Sequence, residues 1–361
     1  EGLASIYNNH NQLIEAIALY DEALLVRKDL YVKKPEQWAQ SYTSCLGRLA
    51  LSYVKNNQPE EAIKLEQESL ALLKPLYEAN PEQWADDYTV SLNNLSLSYQ
   101  QNNQWPVAIE TLKNAGPSLE TLYEKRPERW AELYIARSNN LAQCYYSNNQ
   151  ITEAIERLKD ASKWTETLYE KNPEQWTSRH TITLNNLAQC YRENHQLGKA
   201  ISLEKVNVET YEILHEKNPE QWAGDYANSL NNLALSYITN QQLTEADELL
   251  NIALTNCKAL YKKSPKQWVG HYTSNLSNLA ATYLKINRVT EAIELIKEVS
   301  EIFQELYEEK PEQWVIDYIR SLGNLANTYQ KNNQLTEAIE LHKEALVLAT
   351  TLYENNPKPS A

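Results

Sequence analysis

Between Pro219 and Tyr237 the apolar residues Trp222, Tyr226, Leu230, Leu233, Ala234 and Tyr237 recur at spacings of three and four, with polar residues between them. That rhythm puts them on one stripe of an α-helix. Asn218 stands where a side chain can cap the first backbone N–H groups, and Pro219 takes the position where its missing donor costs nothing. Glu220 then meets the positive end of the helix dipole. Asn240, Gln241 and Gln242 end the helix, since Asn tolerates the left-handed conformation found at helix C-termini. A second amphipathic stretch opens at Thr244 and Glu245 and carries Ala246, Leu249, Leu250, Ala253 and Leu254. It runs to Tyr261 before Ser264 and Pro265 stop it. Thr152, Thr244, Thr290 and Thr336, at such starts, read as N-caps. The pattern predicts a helical hairpin with arms of about 20 residues, or ~30 Å.

The hairpin recurs. Pro35, Pro81, Pro127, Pro173, Pro219, Pro265, Pro311 and Pro357 are each 46 residues apart, and Trp38, Trp84, Trp130, Trp176, Trp222, Trp268 and Trp314 follow the first seven. Three tyrosine columns keep the same period: Tyr7 to Tyr329, Tyr31 to Tyr353 with His215 in one place, and Tyr42 to Tyr318 with His180 in one place. An interval kept without insertion or deletion means a stack of near-identical units. The chain therefore reads as one elongated all-α domain over 1–361, with units at 1–34, 35–80, 81–126, 127–172, 173–218, 219–264, 265–310 and 311–356. The first unit lacks its beginning, and 357–361 opens a unit that is not finished. The aromatic residues are then packing residues of the repeat.

Leu230, Leu233, Ala234, Tyr237, Ala246, Leu250 and Ala253 fall on the signature positions of the tetratricopeptide repeat, which the chain resembles along its whole length. The small residue at the crossing of the two helices is Ala in every unit, from Ala16 and Ala62 to Ala292 and Ala338. Two departures are the 46-residue length, against the usual 34, and Asn rather than Gly at the hairpin turn. The Leu-Asn-Asn-Leu-Ala block at 184–188 and 230–234 is similar to the longer variant of kinesin light chains and bacterial signalling proteins. The resemblance implies a right-handed α-solenoid superhelix of about eight helix-turn-helix units, with a groove lined by the first helix of each.

Composition narrows the partners. A formal charge of −14 and a pI of about 5.1 argue against nucleic acid or an acidic membrane and favour a basic or neutral protein partner. No apolar run approaches the ~20 residues that cross a bilayer, so no membrane insertion is expected. The four cysteines read as small buried residues; Cys144 and Cys190 share a column one period apart, too far for a disulfide. Free thiols lean towards a reducing compartment. The chain has no Met and opens on Glu1, which fits a processed mature protein or a piece of a longer one.

No Gly-rich phosphate loop, His-Glu-x-x-His, Cys-x-x-Cys or Gly-x-Ser-x-Gly occurs, so neither an enzyme nor a cofactor is expected. His180 and His215 replace Tyr, His10 and His195 lie in hairpin turns, and Cys190 with His195 lacks the further ligands zinc needs. The many Glu residues read as solvated helix surface. Asn94 and Asn275 open Asn-x-Ser sequons inside predicted helices, which reads as chance.

Two surfaces remain. In tetratricopeptide domains the Asn-pair positions of the first helix line the groove, which here means Asn93, Asn94, Asn139, Asn140, Asn185, Asn186, Asn231 and Asn232. Gln143, Gln189, Arg192 and Leu235 lie on the same face. An amide there can hold an extended peptide backbone, or it can ladder from repeat to repeat and hold the stack. The second surface is the two ends: Leu3 and Tyr7 at one, and Ala345, Leu346, Leu348, Ala349 and Leu352 at the other. Apolar, uncapped ends of nearly complementary phase predict head-to-tail stacking of copies into a filament. The alternative is a peptide- or protein-binding module, such as the sensor portion of a larger bacterial signalling protein. A filament subunit would be extracellular or on the cell surface, a signalling fragment cytoplasmic.

Overall fold

A computed structural model of the chain describes residues 2–9, 12–114 and 116–355, in helices and the short links between them. His10, Pro357 and the unfinished unit at 357–361 lie outside the described residues. Two compact units are formed, one up to His195 and one from Gln196. The first holds α1 (Gly2–Asn9), α2 (Leu13–Lys33), α3 (Pro35–Lys55), α4 (Pro59–Ala79), α5 (Pro81–Gln101), α6 (Trp105–Asn114), α7 (Gly116–Lys125), α8 (Pro127–Ser147), α9 (Ile151–Lys171) and α10 (Pro173–Glu193). The second holds α11 (Leu197–Lys217), α12 (Pro219–Thr239), α13 (Leu243–Lys263), α14 (Pro265–Lys285), α15 (Val289–Glu309), α16 (Pro311–Lys331) and α17 (Leu335–Asn355). Each proline-led helix is 21 residues long, so the first arm of every hairpin begins and ends in the same phase.

The hairpin turn is built on one residue of positive φ: Asn57, Asn103, Asn149, His195, Gln241, Asn287 and Asn333 all lie between 55° and 62°. At Gln241 this lets the Gln242 N–H reach back to Tyr237 O at 2.8 Å and the Gln241 N–H to Ile238 O at 3.0 Å, closing the helix end. The left-handed position is thus the second residue of the run, and Asn240, with φ −88°, only caps the helix. That turn leads straight into the next helix, which starts one residue before the threonines. Thr152, Thr244 and Thr290 sit inside their helices behind the N-caps Gln150, Gln242 and Arg288, and Thr336 is likewise the second residue of α17. Asn218 caps as the sequence suggests, accepting from the Gln221 N–H at 3.3 Å, and Asn172 does the same at Gln175.

Within the first unit α3 packs on α5, α5 on α8 and α8 on α10, and within the second α12 packs on α14, so consecutive first helices stand side by side. The signature alanines, from Ala16 to Ala338, are all buried. Tyrosine columns meet pairwise: Tyr31 on Tyr42, Tyr77 on Tyr88, Tyr123 on Tyr134, Tyr261 on Tyr272 and Tyr307 on Tyr318 stack at 4.6–5.3 Å. His180 and His215 keep this contact, with Tyr169 at 5.0 Å and Tyr226 at 5.1 Å. Each stack joins the end of one repeat to the start of the next. All four cysteines are buried and free, as expected.

Arg137, buried on α8, ties this helix to the second arm before it: its Nη1 donates to Leu112 O at 3.0 Å and its Nη2 to Glu120 at 3.1 Å.

Candidate functional site

Because first helices are neighbours, their accessible faces combine into a wall within each unit. Helical spacing assigns the wall to residues recurring every three and four, which include the Asn pair and the residue three further on. Asn140 and Gln143 are exposed; Asn93, Asn94, Asn139, Asn185, Asn186, Gln189, Arg192, Asn231, Asn232 and Leu235 are half-buried.

The first unit uses part of this row as a ladder. Asn186 Nδ2 donates to Asn139 Oδ1 at 2.8 Å, and Asn139 Nδ2 donates to Thr183 Oγ1 at 3.0 Å and Ile135 O at 3.0 Å. In the second unit Asn231 Nδ2 donates to Asn275 Oδ1 at 2.7 Å. Asn275 is buried and Asn94 lies within α5, so neither sequon sits in a surface loop. Asn139, Asn186 and Asn231 therefore hold neighbouring helices together, while Asn140, Gln143 and Gln189 face outward with few intramolecular obligations. Of the two roles read from the sequence, the ladder is the one these hydrogen bonds display.

Two cavities open on this wall in the same register. One, of about 260 Å³, lies between α3, α4 and α5. The other, of about 360 Å³, lies between α14, α15 and α16, with Thr273 where the first has Thr43. Their floors differ. The second is floored by Val299 and Phe303, the first by Ser69 and Leu73 in the same register together with Glu66.

Glu66 is a correction to the sequence reading, in which glutamates are solvated surface. It is 0% exposed, and Glu204, three periods on in the same column, is 1% exposed. Elsewhere the column holds Leu112, Leu158, Leu250 and Ile296, with Tyr20 and His342 in the terminal repeats. At the neighbouring small-residue position, alanine in Ala161 and Ala253, these two repeats carry Ser69 and Asn207. The signal was present as a break in a column. It was hidden because α4 also carries Glu60, Glu61 and Glu68 on its outer face. Burial pushes the Glu66 carboxyl up to about 7, against the pull of the Ser91 hydroxyl, which donates to Oε2 at 2.7 Å. The Asn94 amide pulls the same way but stands outside hydrogen-bond geometry for Oε1, which accepts no hydrogen bond.

At the ends, Leu3 is 54% and Leu346 66% exposed, and Ala349 is exposed; Tyr7, Ala345, Leu348 and Leu352 are half-buried. Among the described residues no group of three His, Cys, Asp or Glu could hold a metal, and no helix is long and apolar enough to cross a membrane.

Helical hairpins of fixed length, laid side by side through their first arms, define an α-solenoid of helix-turn-helix repeats. Residues 272–350 match the tetratricopeptide repeat family model, and the same columns run through the other units. No curated protein matches the chain in sequence. Among solved structures it is similar to BtubC (BKLC) from P. vanneervenii, with 17% identity over 71% of this chain and 95% of that one and a TM-score of 0.52. It is similar to a signal transduction ATPase with numerous domains, bearing a tetratricopeptide repeat sensor, from Pyrococcus horikoshii: 14% identity, 97% of this chain, 54% of that one, TM-score 0.52. It also resembles a Podosopora anserina putative kinesin light chain with nearly identical repeats, at 25% identity over 63% and 98% of the two chains and a TM-score of 0.48.

Proposed function

We propose that the chain is a non-enzymatic scaffold that binds an extended peptide or protein segment along the wall of first helices. The observation that carries this is the set of accessible amides on α8 and α10 of the first unit, Asn140, Gln143 and Gln189 among them, on the same row of first helices onto which the cavity between α3, α4 and α5 opens. An amide offers a donor and an acceptor, which suits the alternating groups of a peptide backbone. The cavity beside α3 and α5 suits one side chain of such a segment. The tetratricopeptide sensor of the Pyrococcus horikoshii protein is a named instance of such an array at work in signalling, and supports the reading by fold alone.

The test is peptide phage display on the purified chain, followed by binding measurements on the selected peptides. The triple variant Asn140→Ala, Gln143→Ala, Gln189→Ala is expected to bind them at least tenfold more weakly with an unchanged melting curve. Unchanged binding overturns the reading.

A second reading is favoured by the apolar side chains at the ends: copies stack head to tail, with Leu3 and Tyr7 against Ala345, Leu346, Leu348, Ala349 and Leu352. An interface of this kind is heterologous and grows without closing. Negative-stain microscopy at high concentration tests it. Filaments that vanish with Leu346→Asp support it, and dispersed particles throughout refute it.

A further inference from the structure

The cavity between α3, α4 and α5 differs from its counterpart in the second unit by more than Glu66. Its roof is Gly47, on the column that holds Asn at 93, 139, 185 and 231. A Cβ built on Gly47 would stand 3.5 Å from Glu66 Oε1 and 3.4 Å from Asn94 Nδ2, so an Asn side chain there would cover the carboxyl. Glycine leaves that space open. A fully buried carboxyl, one oxygen of which accepts no hydrogen bond, thus looks onto an opening at a position where four other repeats carry Asn, while Ser277 and Gly323 stand there in the last two.

Such an oxygen is costly in a cavity of this size unless a donor from outside comes to it. The charged groups around it set the sign of that donor. Asp86 and Asp87 line the cavity from α5, and Arg48 from α3 is the single guanidinium. The Asp87 carboxyl is held by Gln40 Nε2 at 3.1 Å and does not swing in to neutralise anything. Three carboxyls against one guanidinium favour a cation. The narrow floor, with hydroxyls from Thr43, Ser69 and Ser91, suits the end of a long side chain rather than a bare backbone.

We propose that this cavity receives a cationic side chain, arginine or lysine, of a segment lying on the first-helix wall, with Glu66 as its buried counter-charge. The inference rests on the partner-binding reading above and adds to it one specificity-determining position. Ionised Glu66 is the binding form, so affinity follows its ionised fraction. Sign and size follow from a carboxyl that titrates near 7: about one-eleventh is ionised one pH unit below and about ten-elevenths one unit above, so affinity rises about tenfold between.

The experiment titrates the full chain, labelled with ¹³C at glutamate carboxyls, with N-acetyl-arginine methylamide, and in parallel with the neutral, similarly shaped citrulline analogue. The Glu66 signal is assigned by its loss in Glu66→Gln. The arginine analogue is expected to move that signal saturably, about tenfold more tightly at pH 8 than at pH 6, and the citrulline analogue to leave it in place. Gly47→Asn, which keeps the carboxyl and fills the opening, is expected to abolish the response. Equal shifts from the two analogues, no shift from either, or a response that survives Gly47→Asn would each overturn the proposal. Failure here leaves the groove reading intact if phage-selected peptides still lose affinity in the Asn140, Gln143, Gln189 variant. Failure of the groove reading shows as selected peptides indifferent to that variant.

Discussion

Replacing Glu66 by Gln should stabilise the first unit at alkaline pH and do little in acid. The carboxyl titrates near 7 in the fold against 4.5 for an ordinary Glu, a difference caused chiefly by burial. Folding therefore favours the protonated form. The sign follows: a raised folded pKa means that the contribution to stability is fully present below about 4.5, falls as pH rises, and has gone above about 7. Two and a half units correspond to about 3 kcal/mol at pH 8. Gln keeps the shape, and its amide places a donor and an acceptor where the acid stood. Asp21 and Asp87 are also raised by burial, so wild-type stability alone would mix several titrations. The quantity to read is the difference between wild type and Glu66→Gln, from urea melts followed by circular dichroism at pH 5, 6, 7 and 8. Repeat arrays need not unfold in one step, so hydrogen exchange of the α4 and α5 amides supplies the local value. The variant's advantage should grow by about 3 kcal/mol from pH 5 to pH 8. A difference that does not change with pH would refute the burial argument for Glu66, and with it the ionisation on which the cationic pocket depends.

Three further outcomes are expected. Asn149, at φ 59°, should give up about 1 kcal/mol on change to Ala and gain stability on change to Gly, read from the melting temperature, because only the glycine removes the Cβ clash of the left-handed region. His180→Tyr, which restores the column, should remove acid sensitivity: burial lowers the His180 pKa, so its contribution is present above about 6.5 and lost as pH falls, and a wild type no more acid-labile than the variant would refute this. Cys190 and Cys257, both pushed up to about 11 by burial, should resist a thiol reagent at pH 8 in the folded chain and react in urea; rapid native labelling would show that the helices open locally.

The fold was legible because the repeat supplied its own alignment. Seven copies of Pro-x-x-Trp and the tyrosine columns placed every first helix, and the structure agrees with those starts. What the columns could not say is which of them touch: residues eleven apart, such as Tyr77 and Tyr88, stack across a proline that ends one helix and begins the next. Which members of the Asn row form the ladder was not legible, because it depends on which amide points at a neighbouring helix, a matter of rotation about each helix axis. Thr244 looked like a cap because it is the residue type that caps. A left-handed Gln241 starts the next helix earlier than residue type alone indicates. Glu66 was missed for a related reason: burial belongs to a position, and a charged side chain among other charged side chains gives no sign of it.

The stacked aromatic pairs bear on what happens when the chain is pulled. Each repeat is tied to the next by much the same small set of parts, a ring pair, a proline and a buried alanine, and no link is reinforced by a disulfide. A tether of that kind yields one hairpin at a time, and each 46-residue link released adds up to about 150 Å of slack. The repeat is then also a unit of length, paid out in equal steps under load.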